Sequence, residues 1–365
     1  MAEPKDTTAA AERRPSPAVP ARQRRHVGRT VADVHGRRHD DLLVAPQTGL
    51  QQLAKWLTPA FYIDLGRPCN SACMYCAVPP HEDAQGFTPL AQVPEIISAG
   101  LAVGCDRAIL IGGEPTIHPQ LGAVLELLAE QGLPGGHIVM TNGLKLADPA
   151  SLERLVRGGV ATLHVSIDTV DSAVYDRISR SSGRLPQQLL GLDAALARAD
   201  VQVYVYTAVT RLNIGGLNDL LDALLARAER LKLAAPPPWI LAVVKPLGDA
   251  LRHADTLLLD PPAAAELLRP VVLRAASLGM TVGVRNVQAC LAPDLVPWNV
   301  DYYLDDFSVE VASGERVAYS HGEYWYKPTG CAGCGHDAHC TGVYREVERR
   351  FGVAAFKAVG PVGLR

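Results

Sequence analysis

The strongest constraint on this chain is a rhythm. Between residues 61 and 244, short apolar runs alternate with longer amphipathic stretches. The candidate strands are residues 61–65, 107–111, 137–141, 162–167, 201–208 and 239–244; the helical patterns are 93–101, 120–130, 150–157, 186–199 and 217–231. Short strands separated by helices predict βα units and a parallel sheet, here an α/β fold curled into a partial (β/α)6, TIM-like barrel. In such folds ligands collect at the C-terminal ends of the strands. The chemically notable residues fall there: Cys69 follows the first strand, Gly112, Gly113 and Glu114 the second, Asn142 the third, and Asp168 ends the fourth.

The pattern divides the chain into three. Residues 1–45 are rich in Ala, Pro and Arg, with basic clusters at Arg13, Arg14 and at Arg22, Arg24, Arg25, and read as a disordered solvated tail. Residues 46–250 are the barrel core. Residues 251–365 break the rhythm with a helix at 262–278, a segment at 281–287 and a Gly-, Tyr- and Cys-rich stretch that reads as a small irregular C-terminal cap. A net charge of −3 gives no global pull toward nucleic acid or an anionic membrane. No apolar run is long enough to span a bilayer and no signal sequence is visible, so a cytoplasmic protein is expected.

Eight cysteines fall into two tight groups plus Cys105 and Cys290. In a reducing compartment such grouping points to metal ligation before disulfides. The first group, Cys69, Cys73 and Cys76 in GRPCNSACMYCAV, puts three thiols on one loop. Three thiolates occupy three corners of an iron–sulfur cubane and leave the fourth iron open. Structural zinc is the alternative, with His81 beyond a Pro-Pro turn the nearest further ligand. Glycines at 112 and 113 permit close backbone approach, and a carboxylate at 114 pairs with an ammonium; alone, the motif is also a plain turn. Asp168 either meets a ligand at the strand end or caps the helix beginning near Ser172. Asn142 in TNG is a turn former or a ligand contact. Tyr204 and Tyr206 share one face of the fifth strand and read as core; Lys245 ends the sixth strand, where it meets an acidic group or makes a surface salt bridge.

CxxxCxxC directly after a strand, with Tyr75 before the third cysteine and Gly112-Gly113-Glu114-Pro115 one strand later, resembles the radical S-adenosylmethionine (radical SAM) superfamily. The resemblance implies a [4Fe-4S] cluster held by Cys69, Cys73 and Cys76. It implies that S-adenosylmethionine chelates the open iron and is cleaved to a 5′-deoxyadenosyl radical that abstracts a substrate hydrogen. It also implies that Tyr75, Gly112, Gly113, Glu114, Asn142, Ser166 and Asp168 line the cofactor pocket, and that a flavodoxin- or ferredoxin-type protein donates electrons.

The second group, Cys331, Cys334 and Cys340, is followed by Gly342 and Tyr344 and resembles the auxiliary-cluster (twitch or SPASM-like) caps of that superfamily. With Cys290 as fourth ligand it would hold one further [4Fe-4S] cluster. Alternatively Cys290 is a free thiol that donates a hydrogen atom to a substrate radical, and His336 and His339 keep a zinc knuckle open. Cys105, before the second strand, reads as a buried structural thiol. The expected activity is modification of a ribosomally made peptide by crosslinking or epimerisation. Dehydrogenation or epimerisation of a small polar metabolite such as an aminoglycoside or sugar is the runner-up, and a non-catalytic iron–sulfur electron carrier is the contrasting class.

Overall fold

The structure is a computed structural model that describes residues 60–77, 86–102, 104–302, 307–310, 315–318, 325–337, 340 and 342–360. The tail at 1–45, His81 and His339 lie outside the described residues. Seven strands form one parallel sheet in sequence order: β1 (Ala60–Asp64), β2 (Arg107–Ile111), β3 (His137–Thr141), β4 (Val160–Ser166), β5 (Gln202–Val209), β6 (Trp239–Val243) and β7 (Val282–Arg285). β1 and β7 are the sheet's two edges, so the barrel is open.

Six strands were expected, and the seventh corrects that expectation. β7 pairs with β6 in parallel, from Trp239 opposite Val282 to Ala242 opposite Arg285, and carries the sheet past residue 250. Its four residues, VGVR, hide it in the sequence: a strand this short with a central glycine has little β-signal of its own. The long helix Pro261–Ser277, capped by Asp260, is the crossover that delivers it.

Alternation along each strand separates two cores. Outward-facing Phe61, Ile63, Leu110, Val139, Leu163, Val165, Val205, Trp239, Leu241, Val282 and Val284 pack with the helices in the main apolar cluster. Trp239 is fully buried and its indole N–H donates to Thr207 Oγ1 at 2.8 Å, so its one polar atom is satisfied. Inward, Ala60, Ile109 and Ile138 form a smaller cluster with Tyr62, Ile111 and Met140.

The lumen becomes more polar across β4, β5 and β7. His164 stacks at a tilt on Tyr204, centroids 5.2 Å apart. Tyr204 is buried, as expected for a core residue, and Tyr206 is half-buried. Arg285 pairs with Asp301 at 2.7 Å, and Asp301 also accepts from the Asn286 backbone N–H at 2.6 Å.

Burial, with the charge of Arg285 second, pushes the His164 imidazole down to about 4. An unfolded histidine takes up its proton near ~6.5. Between these values the unfolded chain binds the extra proton, so His164 makes stability fall as pH drops through that window. His164→Phe is expected to flatten this part of the profile, read from denaturant midpoints at pH 7, 5.5 and 4.5; an unchanged slope would show that His164 is not buried in its neutral form.

Candidate functional site

The loop after β1 carries Cys69, Cys73 and Cys76 and has almost no regular structure, yet it is tied on several sides. Gly113 N–H donates to Gly66 carbonyl at 2.8 Å and Glu114 N–H to Pro68 carbonyl at 3.0 Å, docking the loop after β2 onto it. Asn142, after β3, donates its side-chain amide to Asn70 Oδ1 at 2.6 Å. Arg184 donates to Asn70 carbonyl at 2.6 Å. The end of the helix Ser172–Ser179 receives two backbone N–H groups, Ala72 on Ser179 carbonyl and Met74 on Ile178 carbonyl. Beyond β6, Asp249 N–H reaches Cys76 carbonyl at 2.8 Å.

The glycine pair is explained by this docking. A Cβ on Gly113 would lie 2.3 Å from the carbonyl oxygens of both Arg67 and Pro68, and one on Gly112 would lie 2.6 Å from that of Gly66. These are backbone atoms that cannot swing aside. The close approach expected of the glycines is therefore made to the cysteine loop itself.

Two carboxylates, Glu114 buried and Asp168 half-buried, finish the frame. Glu114 is 2% exposed; its Oε1 accepts from Thr116 N–H, Thr116 Oγ1 and Thr141 Oγ1, and its Oε2 from Asn142 N–H at 2.7 Å. Burial raises its pKa, and those four donors oppose the rise. Asp168 accepts from the Tyr75 hydroxyl at 2.6 Å and from Ala208 N–H at 2.9 Å. Burial pushes its carboxyl up to about 6, against those two hydrogen bonds. Helix capping, the alternative role for Asp168, falls instead to Asp171, whose Oδ1 accepts from Ala173 and Val174 N–H groups.

The remaining expected residues collect at the same end. Ser166 closes β4 half-buried, and Lys245 lies half-buried just past β6. Cys105 is buried before β2, on the opposite side of that strand from Gly112.

The three loop thiols are in electrostatic reach of one another. Burial pushes Cys69 up to about 11, with Glu114 and Cys76 adding to the rise, and Cys73 up to about 12, with Asp168 and Cys69 adding. The Ser71 hydroxyl lies 3.3 Å from Cys73 Sγ, and its N–H points at Cys69 Sγ at 3.4 Å. Three half-buried thiols on one loop, two of them resisting ionisation and lying against the N–H and hydroxyl of Ser71, fit a metal cluster whose charge would stabilise the thiolates.

Cys290, Cys331, Cys334 and Cys340 line a second pocket with Gln288, Lys327, His336, Asp337 and Phe356. Cys331–Cys334 is a tight turn closed by Cys334 N–H on Cys331 carbonyl at 3.1 Å. Cys340 Sγ accepts from Gly342 N–H at 3.4 Å, and burial pushes its thiol up to about 11. Burial also raises Cys290 and Cys331; Cys331 and Cys334 add to the rise at Cys290. Gln288 donates to Gly342 carbonyl at 3.0 Å, fastening the segment after β7 to β11 (Val343–Tyr344), which pairs with β10 (Trp325–Tyr326), while β8 (Phe307–Glu310) and β9 (Glu315–Ala318) pair with each other. Among the described residues, no three thiol, imidazole or carboxylate groups converge on a single-ion position.

Sequence reading missed Asn70, Arg180, Arg184, Gln188 and Asp249. Arg180, in the left-handed region at φ 52°, donates to Ala72 carbonyl at 2.7 Å and to Asp249 at 2.9 Å. Gln188 donates to the carbonyls of Asn142 and Ser166, joining the ends of β3 and β4. These contacts link residues far apart in the chain, so no local pattern announces them.

Residues 63–227 match the Radical SAM superfamily. Curated relatives include a probable GTP 3′,8-cyclase from Methanopyrus kandleri, 29% identical over 170 residues, covering 47% of this chain and 53% of that protein. A GTP 3′,8-cyclase from Aeromonas hydrophila is 30% identical over 168 residues, covering 43% and 46%. The chain thus spans about half the length of these relatives. Among solved structures, Streptococcus suis SuiB bound to S-adenosylmethionine superposes with a TM-score of 0.57 at 14% identity, over 78% of this chain and 72% of that one. SuiB bound to precursor peptide SuiA gives 0.51 at 16% identity, over 67% and 54%. Among the described residues, no helix is long and apolar enough to cross a membrane.

Gly113→Ala is expected to lose most of the iron that the wild type takes up on anaerobic reconstitution, while its far-UV circular dichroism stays native. Gly122→Ala, where an added Cβ meets nothing within 4 Å, is the control and should keep its iron. Full iron content in Gly113→Ala would sink the docking argument.

Proposed function

The chain carries a radical SAM domain over residues 63–227, and from that premise we propose that it abstracts a hydrogen atom from a ribosomally made peptide and so crosslinks it or inverts a stereocentre. A [4Fe-4S] cluster on Cys69, Cys73 and Cys76, with S-adenosylmethionine at its open iron, supplies the 5′-deoxyadenosyl radical. The chain's own residues do the positioning. Asn70, Asn142 and Arg184 fix the start of the cysteine loop, and Asp168 holds the Tyr75 hydroxyl beside Cys73. Glu114 Oε2, which accepts one protein N–H, and the half-buried Ser166 are the polar groups offered to the cofactor's methionine and ribose ends.

The observation that carries the rest is the presence of Cys290 in one pocket with Cys331, Cys334 and Cys340. Four thiols around one pocket support a fully ligated second [4Fe-4S] cluster, and they favour Cys290 as a ligand over Cys290 as a hydrogen donor. Such a cluster supplies an electron acceptor for oxidative chemistry and has no open iron for substrate. The peptide reading draws on the shared fold with SuiB, whose precursor peptide has been seen bound. A small polar metabolite is the second reading. It is favoured by the curated relatives, which act on GTP, and by the Arg285–Asp301 pair and His164 in the barrel. Electrons for the first cluster come, on this proposal, from a flavodoxin- or ferredoxin-type partner.

Anaerobically reconstituted protein is expected to hold about eight irons, falling to about four when Cys69, Cys73 and Cys76 are all changed to Ala, and only the former should release 5′-deoxyadenosine under strong reductant. About four irons falling to none would remove the second cluster and return Cys290 to the role of thiol donor. Hydrogen–deuterium exchange with a candidate precursor peptide should protect a long surface; protection confined to the lumen would favour the small metabolite.

A further inference from the structure

We infer that Lys327, held in place by Asp337, raises the reduction potential of the cluster seated among Cys290, Cys331, Cys334 and Cys340, and thereby makes that cluster an electron acceptor. The inference rests on the auxiliary-cluster reading above.

Lys327 follows β10 and lines the same pocket as the four thiols. Its ammonium does not wander: Nζ donates to the Asp337 carboxylate at 2.7 Å and to the Asp337 backbone carbonyl. The stem is confined as well, because it passes Gly342, where an added Cβ would lie 3.2 Å from Lys327 Cγ. The charge so fixed belongs to the wall of the pocket that Cys290, Cys331, Cys334 and Cys340 line. Asp337 carries the opposite charge in the same pocket wall, and its side chain is the more exposed of the two, 61% against 36% for Lys327. The cation therefore outweighs its partner at the pocket, and the carboxylate acts chiefly as its tether.

A cluster on four thiolates is an anion, and reduction adds a further negative charge. A fixed cation stabilises the reduced form more than the oxidised form, and the partly buried wall of the pocket limits screening. That is the direction required of an acceptor. A salt bridge serving only to hold the cap together would leave the potential where it was.

The test is an EPR-monitored redox titration of the full-length reconstituted protein beside Lys327→Gln, Lys327→Arg and Asp337→Asn, with iron counted in each. Lys327→Gln removes the cation and leaves Asp337 beside the pocket. Its second midpoint should fall by the equivalent of about tenfold in the reduction equilibrium, 59 mV for one electron, while the midpoint of the cluster on Cys69, Cys73 and Cys76 stays fixed. Lys327→Arg should keep the wild-type value, and Asp337→Asn should keep or raise it. If Lys327→Gln fails to assemble its second cluster, Asp337→Asn decides: a fall in its midpoint overturns the inference. Two clusters with an unmoved midpoint in Lys327→Gln overturn it alone, whereas a wild type holding one cluster overturns the auxiliary-cluster reading as well.

Discussion

Everything at the site depends on backbone hydrogen bonds that hold a loop with no structure of its own. The loop from Gly66 to Cys76 has neither a helix nor a ladder to satisfy its polar groups, and unpaired backbone groups inside a protein are costly. Its backbone finds partners in Gly113 and Glu114 after β2, the end of the helix Ser172–Ser179 and Asp249 after β6, while side-chain bonds from Asn70 to Asn142 after β3 and from Tyr75 to Asp168 after β4 add two more ties. The open barrel is thus a jig. Each strand end fixes one stretch of the loop, and together they set where three sulfurs stand.

That arrangement explains how one buried and one half-buried carboxylate are accommodated beside the loop. A buried carboxylate is destabilised unless donors surround it. Glu114 has four, drawn from its own loop, from β3 and from the residue after it, so it couples the second and third strand ends. Asp168 has two, and one is the hydroxyl of Tyr75, which turns an aromatic ring in the cysteine loop into a fixed wall. Asp249 does the same on the far side through Arg180 and Arg252. These carboxylates are held around the loop by donors and cations of the protein itself.

The barrel and its busy end were legible in the sequence because both are written in local signals. Alternating apolar runs declare six of the seven strands, and CxxxCxxC, GGEP and TNG sit at their ends. β7 was not legible, since four residues with a glycine among them carry too little pattern. The supporting residues were not legible either. Arg180, Arg184 and Gln188 are ordinary polar side chains on a helix and its flanks, and only the packing of that helix against the strand ends brings them to Asn70, Ala72, Asn142 and Ser166. Asp168 was read with two roles, and the structure gives the cap to its neighbour Asp171 because Asp171, not Asp168, directly precedes the first helical residue.

The unread strand matters most for the second pocket. Cys290 lies on the segment that leaves β7, while Cys331, Cys334 and Cys340 come from a turn-rich stretch beyond it. Without β7 in the sheet, Cys290 would belong to the irregular cap and its position would be free to drift. With β7 paired to β6, the segment starts from a fixed strand end, and Gln288 then bonds to Gly342 so that both sides of the pocket share one anchor. The four thiols are therefore referenced to the same sheet that positions Cys69, Cys73 and Cys76. The spacing between the two cysteine groups is thereby tied to one continuous parallel sheet, with the Gln288–Gly342 bond as the link to the second.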